Sequence, residues 1–491
     1  MINLEDKILT IMEKGPSQKV VTGLLNAGLK TPVARKKLLA GMDRALYRLS
    51  MKSSCRPLKV RQDRYYMGRA LLRSIGRAFD SDLMAPSCTR ALSDILIRKV
   101  ILEGVYTRRE FRKKHGFRPP TFVTISPTNV CNLKCKGCYA GDMYTKNTLR
   151  YDIFDRVLTD INREFGSHFF VISGGEPFAY SESGKGLFDV LGKHSDSYFM
   201  AYTNATMITP RAALRLSELG NFTPAISVEG FEEETDARRG RGTFRKIMDA
   251  MENLRREGVP FGVSVTPTRH NADMLLSDEF VDFYFNRMGA VYGWYFQYMP
   301  IGRNPDVSLM VSPEQRFRML KRIWDLVINK ELFIADFWNS GTASDGCMAA
   351  ARGGGYFYIM WDGTITPCVF IPFKDRSCNN LYGLYENGKS ITDAIKTEFF
   401  TGLRKWQANY WIDRPAHMCG NLLSPCAIRD NSIDFYRVVK ETGALACDSG
   451  AEEYLSLIDG GEMPLYNEQC REYTDPLWEQ EYLKNEQIQA N

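Results

Sequence analysis

Three closely spaced cysteines constrain the fold and the function of this chain more than any other sequence feature. They follow a short β-rich run, in the segment PTNVCNLKCKGCY with C-x3-C-x2-C spacing, and are Cys131, Cys135 and Cys138. Thiolates at this spacing on a loop after a strand can hold three irons of a [4Fe-4S] cubane and leave the fourth iron open to a cofactor. The alternatives are a zinc knuckle and chance, but structural zinc sites prefer four ligands in paired C-x2-C units. The spacing therefore favours an oxygen-sensitive iron-sulfur cluster.

The chain is also rich in cysteine, with 12 such residues among 491. Because a reducing compartment does not favour structural disulfides, metal or redox chemistry explains them better. No window reaches the ~18 consecutive apolar residues of a membrane-spanning helix. The first residues, MINLEDKILTIMEK, carry acidic groups where a signal peptide has a basic lead. The sequence predicts a cytoplasmic protein.

The charge is unevenly distributed along the chain. Residues 1–120 hold 26 Lys and Arg against 10 Asp and Glu, an excess of 16, whereas the whole chain carries +6. Apolar and basic positions alternate there at helical spacing until a Pro119-Pro120 pair stops the pattern. A phospholipid surface as anionic partner is one interpretation, a nucleic acid or a phosphorylated substrate is another, and a solvated basic surface is the alternative to all three. The first interpretation would place residues 1–118 peripherally at the inner face of the membrane.

Beyond the two prolines, short β-rich runs alternate with amphipathic segments such as 151–165 and 243–256. Six strands are predicted, over 122–126, 169–173, 199–203, 225–228, 262–266 and 294–298. This alternation is typical of a parallel α/β architecture. We expect four regions: a basic helical region at 1–118, an α/β domain at 119–330, a cysteine-rich region at 331–430 and an acidic tail at 431–491.

Four further motifs follow: three at the ends of the second, third and fourth predicted strands, and one at the start of the next helix. They are SGGEP at 173–177, YTN at 202–204, SVEG at 227–230 and DARRGRGTF at 236–244. With the cysteine signature, their order resembles that of the radical S-adenosylmethionine (SAM) superfamily, over about residues 121–305. The resemblance implies a partial (β/α)6 TIM-like barrel and a [4Fe-4S] cluster that cleaves SAM to a 5′-deoxyadenosyl radical. This radical takes a hydrogen atom from a substrate C–H bond, and a flavodoxin or ferredoxin is the implied electron donor.

The resemblance also implies roles for the motif residues. Cys131, Cys135 and Cys138 are the catalytic cluster ligands, and the residues implied to bind SAM are Gly174, Gly175, Glu176, Pro177, Asn204, Ser227, Glu229 and Arg239. A carboxylate suits the ammonium of SAM, and an arginine fork suits its carboxylate. Gly137 stands where relatives often have an aromatic residue, so stacking on the adenine from this loop is not expected. The segment that begins at Tyr298 is expected to compensate.

A second cysteine group follows the predicted barrel. A G-x4-C arrangement with an Asp-Gly turn, in WDGTITPC, is similar to the opening of SPASM and twitch extensions, which bind auxiliary [4Fe-4S] clusters. The C-x2-C pair of a full SPASM region is missing, so we expect one auxiliary cluster rather than two, with Cys347, Cys368, Cys419 and Cys426 as its ligands. Cys378 is the alternate ligand. The other cysteines are predicted to be buried thiols: Cys55, Cys88, Cys447 and Cys470.

Four ligands would coordinate the auxiliary cluster fully, which favours electron transfer and hence an oxidoreductase that performs a net oxidation or bond formation. The resemblance does not decide the substrate. The basic region favours a membrane-associated or lipid-type substrate. A peptide or protein, and a tetrapyrrole or other small metabolite, are the alternatives. A non-enzymatic iron-sulfur protein would explain the cysteines but not the SGGEP segment or Arg239.

Overall fold

One large sheet organises the protein. The computed structural model describes residues 23, 28, 29, 31–52, 55–140, 147–302, 305–377 and 380–484. The strands of this sheet are β1 (Val123–Ile125), β2 (Phe169–Ile172), β3 (Tyr198–Thr203), β4 (Phe222–Val228), β5 (Gly262–Val265), β6 (Tyr292–Tyr295), β7 (Ile334–Asp336), β8 (Tyr358–Ile359) and β9 (Ile365–Thr366). Their order is β9-β8-β1-β2-β3-β4-β5-β6-β7. The six predicted strands are therefore confirmed as β1 to β6.

Every neighbouring pair in this sheet is parallel except β8 and β9, as a barrel built from strand-helix units requires. The helices that belong to it are Tyr151–Phe165, Leu187–Lys193, Pro210–Leu219, Glu232–Arg239, Thr243–Arg256, Ala272–Leu275, Asp278–Val281, Asp282–Arg287 and Pro313–Ile328. Strand side chains alternate between these helices and the barrel interior. In β1, Val123 and Ile125 belong to the main hydrophobic core, whereas Thr124 lines the interior.

The barrel extends by one parallel strand on each side of the predicted six. Strand β7 pairs with β6. Strand β8 pairs with the edge of β1 that β2 leaves free, where Thr124 is the partner of Tyr358. Within the described residues β7 makes no ladder with β8, and aromatic side chains fill this gap. The ring of Phe337 lies 5.3 Å from that of Phe370 and 6.4 Å from that of Tyr356. We call this contact the aromatic seam.

The hairpin expected from the Asp-Gly turn is present. Strands β8 and β9 pair antiparallel, and the turn between them contains Gly363 with a φ of +83°. Thr364 N donates to Asp362 Oδ1 at 2.9 Å. Gly363 is needed because its φ lies in the left-handed region that other residues rarely adopt. The hairpin leads directly to Cys368.

The predicted helical region contains α1 (Pro32–Met51) and α2 (Leu58–Asp80), followed by the helices Pro86–Ala91, Leu92–Glu103 and Gly104–His115. Helix α2 packs on the helix Pro313–Ile328 and on the short helix Gly341–Ser344 beside the seam. Several cations of α2 bind within the chain: Arg69 pairs with Glu331, and Arg64 pairs with Asp345. The basic excess therefore serves partly to dock this region onto the barrel.

The rest of the chain wraps the seam side of the barrel. Its helices are Gly341–Ser344, Leu381–Glu386, Ile391–Ala394, Glu398–Gln407, Ala408–Ile412, Ala427–Asp430, Ser432–Thr442, Ser449–Asp459, Glu462–Leu477 and Trp478–Leu483. Residues 432–483 fall in the predicted acidic tail, but they form packed helices, and Met463 and Cys470 are buried in the main core. The prediction of a tail is therefore wrong for this part. None of the described helices is long and apolar enough to cross a membrane.

Candidate active site

A cavity of about 420 Å³ lies inside the barrel and reaches from Phe122, which precedes β1, to the cysteine loop at the carboxyl ends of the strands. Functional residues of such barrels come from this end. Predicted site residues line the cavity, namely Cys131, Cys135, Cys138, Gly174, Gly175, Asn204, Ser227 and Arg239. The structure therefore brings together the residues that follow β1, β2, β3 and β4, together with Arg239 from the helix after β4.

The cysteine loop starts just beyond β1 and is fastened to its neighbours. Lys136 and Arg238 exchange hydrogen bonds, from Lys136 N to Arg238 O at 3.1 Å and from Arg238 Nε to Lys136 O at 3.2 Å. Cys131 Sγ accepts from Leu133 N at 3.4 Å and from Asn204 Nδ2 at 3.8 Å. Burial raises the pKa of the Cys131 thiol to about 11. Metal binding must therefore displace this proton at neutral pH.

The three thiols suit a cubane rather than a single ion. No group of three His, Cys, Asp or Glu side chains in the described ranges could hold one metal ion. A cubane differs, because each thiolate binds a different iron and the sulfur atoms stand apart. Cys131, Cys135 and Cys138 are close enough for their charges to act on one another, and all three line one cavity. This donor set fits a [4Fe-4S] cluster with one iron free of protein thiolate.

The two glycines of SGGEP allow its backbone to lie directly against the cysteine loop. Gly175 N donates to Thr128 O, and Glu176 N donates to Val130 O, both at 2.9 Å. A Cβ on Gly175 would lie 2.3 Å from Val130 O, and one on Gly174 would lie 2.4 Å from Thr128 O. Neither position accepts a side chain without displacement of the loop backbone.

The Glu176 carboxylate accepts its hydrogen bonds from groups within the protein. It accepts from Thr203 Oγ1 at 2.7 Å and from the backbone N of Asn204 at 2.8 Å and of Phe178 at 3.1 Å. Burial raises the pKa of Glu176, and neither Glu176 nor Pro177 is among the described residues that line the cavity. These bonds tie the loop after β2 to the loop after β3, and contact of Glu176 with SAM stays a prediction.

Glu229 also has partners inside the protein. Its Oε1 accepts from Arg239 Nε at 3.0 Å and from Arg238 Nη1 at 2.5 Å. Glu229 is buried and does not line the cavity, whereas Ser227 and Arg239 do. The predicted contact of Arg239 with the carboxylate of SAM would therefore add a second carboxylate to an arginine that already binds one.

The aromatic ring that the cysteine loop lacks is supplied by another segment. A Cβ on Gly137 would lie 3.2 Å from Cε2 of Tyr298, which follows β6. The Tyr298 side chain is buried, lines the cavity and accepts a hydrogen bond from Asp306 N at 3.2 Å. This position agrees with the expectation that the Tyr298 segment compensates for Gly137, although stacking on adenine stays a prediction.

Tyr139 joins the cysteine loop to the SGGEP segment, a role that the sequence did not reveal. Its hydroxyl group is hydrogen-bonded to Ser173 Oγ and accepts from Gly174 N at 3.4 Å. Burial raises the pKa of Tyr139 to about 12. The phenol therefore stays protonated at neutral pH and fixes the distance between the two loops.

The second cysteine group lies beyond the aromatic seam. The Cys426 thiol donates to Cys347, which lowers the pKa of Cys347, and burial together with this bond raises the pKa of Cys426. Cys368 lies near Cys347, with its Sγ 2.9 Å from the Tyr356 hydroxyl group. Cys419 is buried in a neighbouring apolar cluster against which Cys347 packs. Cys347 thus adjoins Cys368 and Cys426 and packs against the cluster that contains Cys419, and the roles of all four as ligands of one auxiliary cluster stay predictions.

The remaining cysteines differ in their surroundings. Cys88 and Cys470 are buried, as predicted, whereas Cys55 is only half-buried. Cys447 is also half-buried and packs in the same small apolar cluster as Cys138. Cys378, the alternate ligand, lies outside the described residues.

Many aromatic side chains line the cavity, and the sequence did not identify the following ones as site residues. They are Phe122, Phe169, Tyr202, Trp294, Phe296, Phe333, Phe337, Tyr356 and Phe370. Met67 of α2 also reaches the cavity. Period-two alternation along the predicted strand at 294–298 could have assigned Trp294 and Phe296 to one face, but no local pattern could have placed Met67 there.

Known proteins resemble this chain. Residues 125–276 match the model of the radical SAM superfamily. Fe-coproporphyrin III synthase of Methanosarcina barkeri is 29% identical over 152 residues, which are 30% of this chain and 37% of that protein. Mycofactocin maturase MftC of Mycolicibacterium smegmatis is 30% identical over 278 residues, which are 52% of this chain and 66% of that protein. The chain thus spans less than two thirds of either relative.

A solved structure supports the fold. SuiB of Streptococcus suis, bound to precursor peptide SuiA, superposes with a TM-score of 0.52 at 18% identity, over 66% of this chain and 75% of that one. At this identity the likeness concerns the fold alone. It agrees with a TIM-like partial barrel of parallel strands and surrounding helices. Residues 125–276 form a radical SAM domain, the domain of a superfamily whose members use a [4Fe-4S] cluster and SAM, and the cysteine-rich region that follows fits a C-terminal extension of the SPASM and twitch type.

Proposed function

We propose that this protein abstracts a hydrogen atom from an apolar or aromatic side chain of a peptide or protein and oxidises the resulting radical. The observation that carries the proposal is the cavity, which has three cysteines at one end and a mainly apolar wall that includes many aromatic side chains. Two further lining residues, Met348 and Val369, directly follow the candidate auxiliary ligands Cys347 and Cys368. A substrate in the cavity would lie between the two cysteine groups.

A [4Fe-4S] cluster on Cys131, Cys135 and Cys138 would supply the one-electron reduction of SAM to methionine and a 5′-deoxyadenosyl radical, with a flavodoxin or ferredoxin as the source of the electron. Hydrogen transfer from the substrate would make 5′-deoxyadenosine and leave a substrate radical. Loss of one electron and one proton from that radical would complete an oxidation or close a bond, and a cluster on the second cysteine group would be the acceptor of that electron. The chain's own part is to hold the substrate and exclude water, for which an apolar wall is suited.

The charges of the cavity wall favour an uncharged group. The described lining residues include three charged side chains, Arg238, Arg239 and Asp336. Both arginines bind Glu229, and Asp336 accepts hydrogen bonds from neighbours that include Gln297 Nε2 at 2.8 Å. A tetrapyrrole carries several carboxylates, which require cations or donors that are not already paired. An apolar peptide side chain fits better, and the relative named as a maturase supports this choice, whereas the relative named Fe-coproporphyrin III synthase supports the tetrapyrrole alternative.

Isotope transfer tests the substrate class. Cells that make this protein are grown in deuterated medium, and their peptide and protein, lipid, and small-molecule fractions are each incubated with reduced holoenzyme and unlabelled SAM. Because the abstracted atom ends in 5′-deoxyadenosine, we expect mass spectrometry to find deuterium there with the peptide and protein fraction. The C135A variant (Cys135→Ala) is the control. Label from the lipid fraction alone would contradict the proposal.

A membrane-associated or lipid-type substrate is the second candidate, and the exposed face of α1 favours it. Lys36, Lys37, Arg44 and Arg48 are exposed on this helix. Each basic residue near an anionic bilayer adds about 1 kcal/mol. We expect binding to phosphatidylglycerol vesicles at low salt, and replacement of all four by Gln should weaken it by about 1,000-fold.

Co-sedimentation across a salt series measures this binding. Replacement of Arg112, Lys113 and Lys114, which are exposed on a different helix, serves as the matched control. If the unmodified protein ignores these vesicles at low ionic strength, the lipid-type candidate has no remaining support.

A further inference from the structure

We propose that Arg56 and Arg64, both from the N-terminal helical region, belong to the auxiliary-cluster site and stabilise the negative charge of its reduced state. The proposal rests on the proposed function in one respect, the assignment of the second cysteine group as cluster ligands. It gives the N-terminal region a role in electron transfer, in addition to its docking onto the barrel.

The two arginines meet the cysteine-rich region at one residue. Arg56 Nε lies 2.7 Å from Asp345 Oδ1, and Arg64 pairs with the same oxygen. Both cations are also close enough for their charges to act on the Cys419 thiol. The side chain of Arg56 is 7% exposed and that of Arg64 is 27% exposed, so solvent screens the first only slightly. Two residues after Asp345 comes Cys347.

A third guanidinium, that of Arg352, also acts on the Asp345 carboxylate. Arg352 is buried, and its Nε donates to Cys347 O at 2.5 Å. Its Nη2 donates to Ser344 O at 2.8 Å and to Asp345 O at 3.2 Å, so that Arg352 fastens the segment before Cys347. The charges of Arg56 and Arg64 act on Arg352, and Asp345 is the carboxylate that all three arginines share.

Three guanidinium groups around one carboxylate leave an excess of buried positive charge. Such an excess is unfavourable unless an anion balances it. A cubane held by four thiolates is an anion, because the thiolates more than offset the small net positive charge of the iron-sulfide core, and it becomes more negative on reduction. The three arginines therefore supply the positive charge that such a cluster requires and should favour its reduced state. Residues that surround the metal ligands tune other metal sites in the same way.

A redox titration of the holoenzyme, monitored by EPR, tests this inference. SAM is present because it changes the signal of the catalytic cluster, whose open iron it binds, and so distinguishes that cluster from the auxiliary one. Arg56→Gln should lower the equilibrium constant for reduction of the auxiliary cluster about tenfold, which is 59 mV in midpoint potential for one electron. Asp345→Asn removes the opposite charge and should move the potential in the opposite direction. Arg56→Lys keeps the charge and should restore the parental potential.

Arg69→Gln is the matched control, because Arg69 lies with Arg64 on α2, which begins two residues after Arg56, and it pairs with Glu331 instead of Asp345. It should leave the potential unchanged. Should Arg56→Gln fail to fold, Arg64→Gln carries the same expectation. Equal potentials in the Gln and Asn variants, or shifts of the same sign, would overturn the inference. If Cys347→Ala instead keeps the parental iron content, the assignment of Cys347 as a cluster ligand in the proposed function is wrong. Iron content and redox potential thus distinguish a failure of the proposed function from a failure of this inference.

Discussion

The Cys135→Ala variant is expected to produce no 5′-deoxyadenosine above background. Cys135 is one of three thiols that line the same end of the cavity, and loss of one leaves too few thiolates to hold a cubane with an open iron. Iron should fall from about eight to about four atoms per chain, because the auxiliary cluster uses other cysteines. Liquid chromatography of the nucleoside and colorimetric iron analysis on anaerobic protein measure the two effects.

Cys88→Ala is the matched control, since Cys88 is a buried thiol that belongs to neither cysteine group and does not line the cavity. Its activity and iron content should equal those of the parent. SAM cleavage by Cys135→Ala at the parental rate would show that the catalytic cluster lies elsewhere. A parental protein with about four irons would instead mean that the second cysteine group holds no cluster.

The Gly175→Ala variant is expected to lose SAM cleavage by roughly 100-fold, although no cluster ligand is changed. The new methyl group would overlap Val130 O, which is 2.3 Å from its ideal position, and would push the cysteine loop away from β2. Overpacking of this kind costs about 1–3 kcal/mol, and here the strain falls on the backbone that sets the spacing of the cysteines. Activity and the absorbance of the reconstituted cluster should fall together.

Gly383→Ala is the control for this variant. Gly383 lies in the helix Leu381–Glu386, and a Cβ there meets no atom within 4 Å. Its substitution should leave activity unchanged and stabilise the helix by about 0.5–1 kcal/mol. Parental activity in Gly175→Ala would mean that the contact between the SGGEP segment and the cysteine loop does not position the cluster.

The six barrel strands and the cysteine loop could be predicted because each is encoded by a local pattern. Strand β6 is shifted, since the pattern at 294–298 marks its end and the strand itself runs over Tyr292–Tyr295. Strands β7 and β8 could not be predicted, because runs of three and two residues carry no usable period. They are strands only because β6 and β1 offer them hydrogen-bonding partners.

Long-range pairing is what sequence reasoning could not supply. Arg56 and Asp345 are 289 residues apart, so nothing local shows that a surplus cation of one region meets the segment before Cys347. For the same reason no local pattern decides whether the basic excess of residues 1–118 faces a membrane, faces solvent or pairs within the chain, and none shows that residues 432–483 form packed helices. Charge composition indicates how much charge a region carries, but the fold decides which of it faces solvent.

The position of β1 between β2 and β8 has a consequence for folding. Thr124 pairs with Tyr358 in a ladder that cannot form until more than two hundred intervening residues have been synthesised. Contacts of such high order form slowly. Until β8 arrives, β1 is an edge strand with unpaired backbone groups, which is a template for aggregation. A fragment that stops before residue 358 should therefore aggregate rather than behave as an independent catalytic domain, and expression of this enzyme should require the complete barrel.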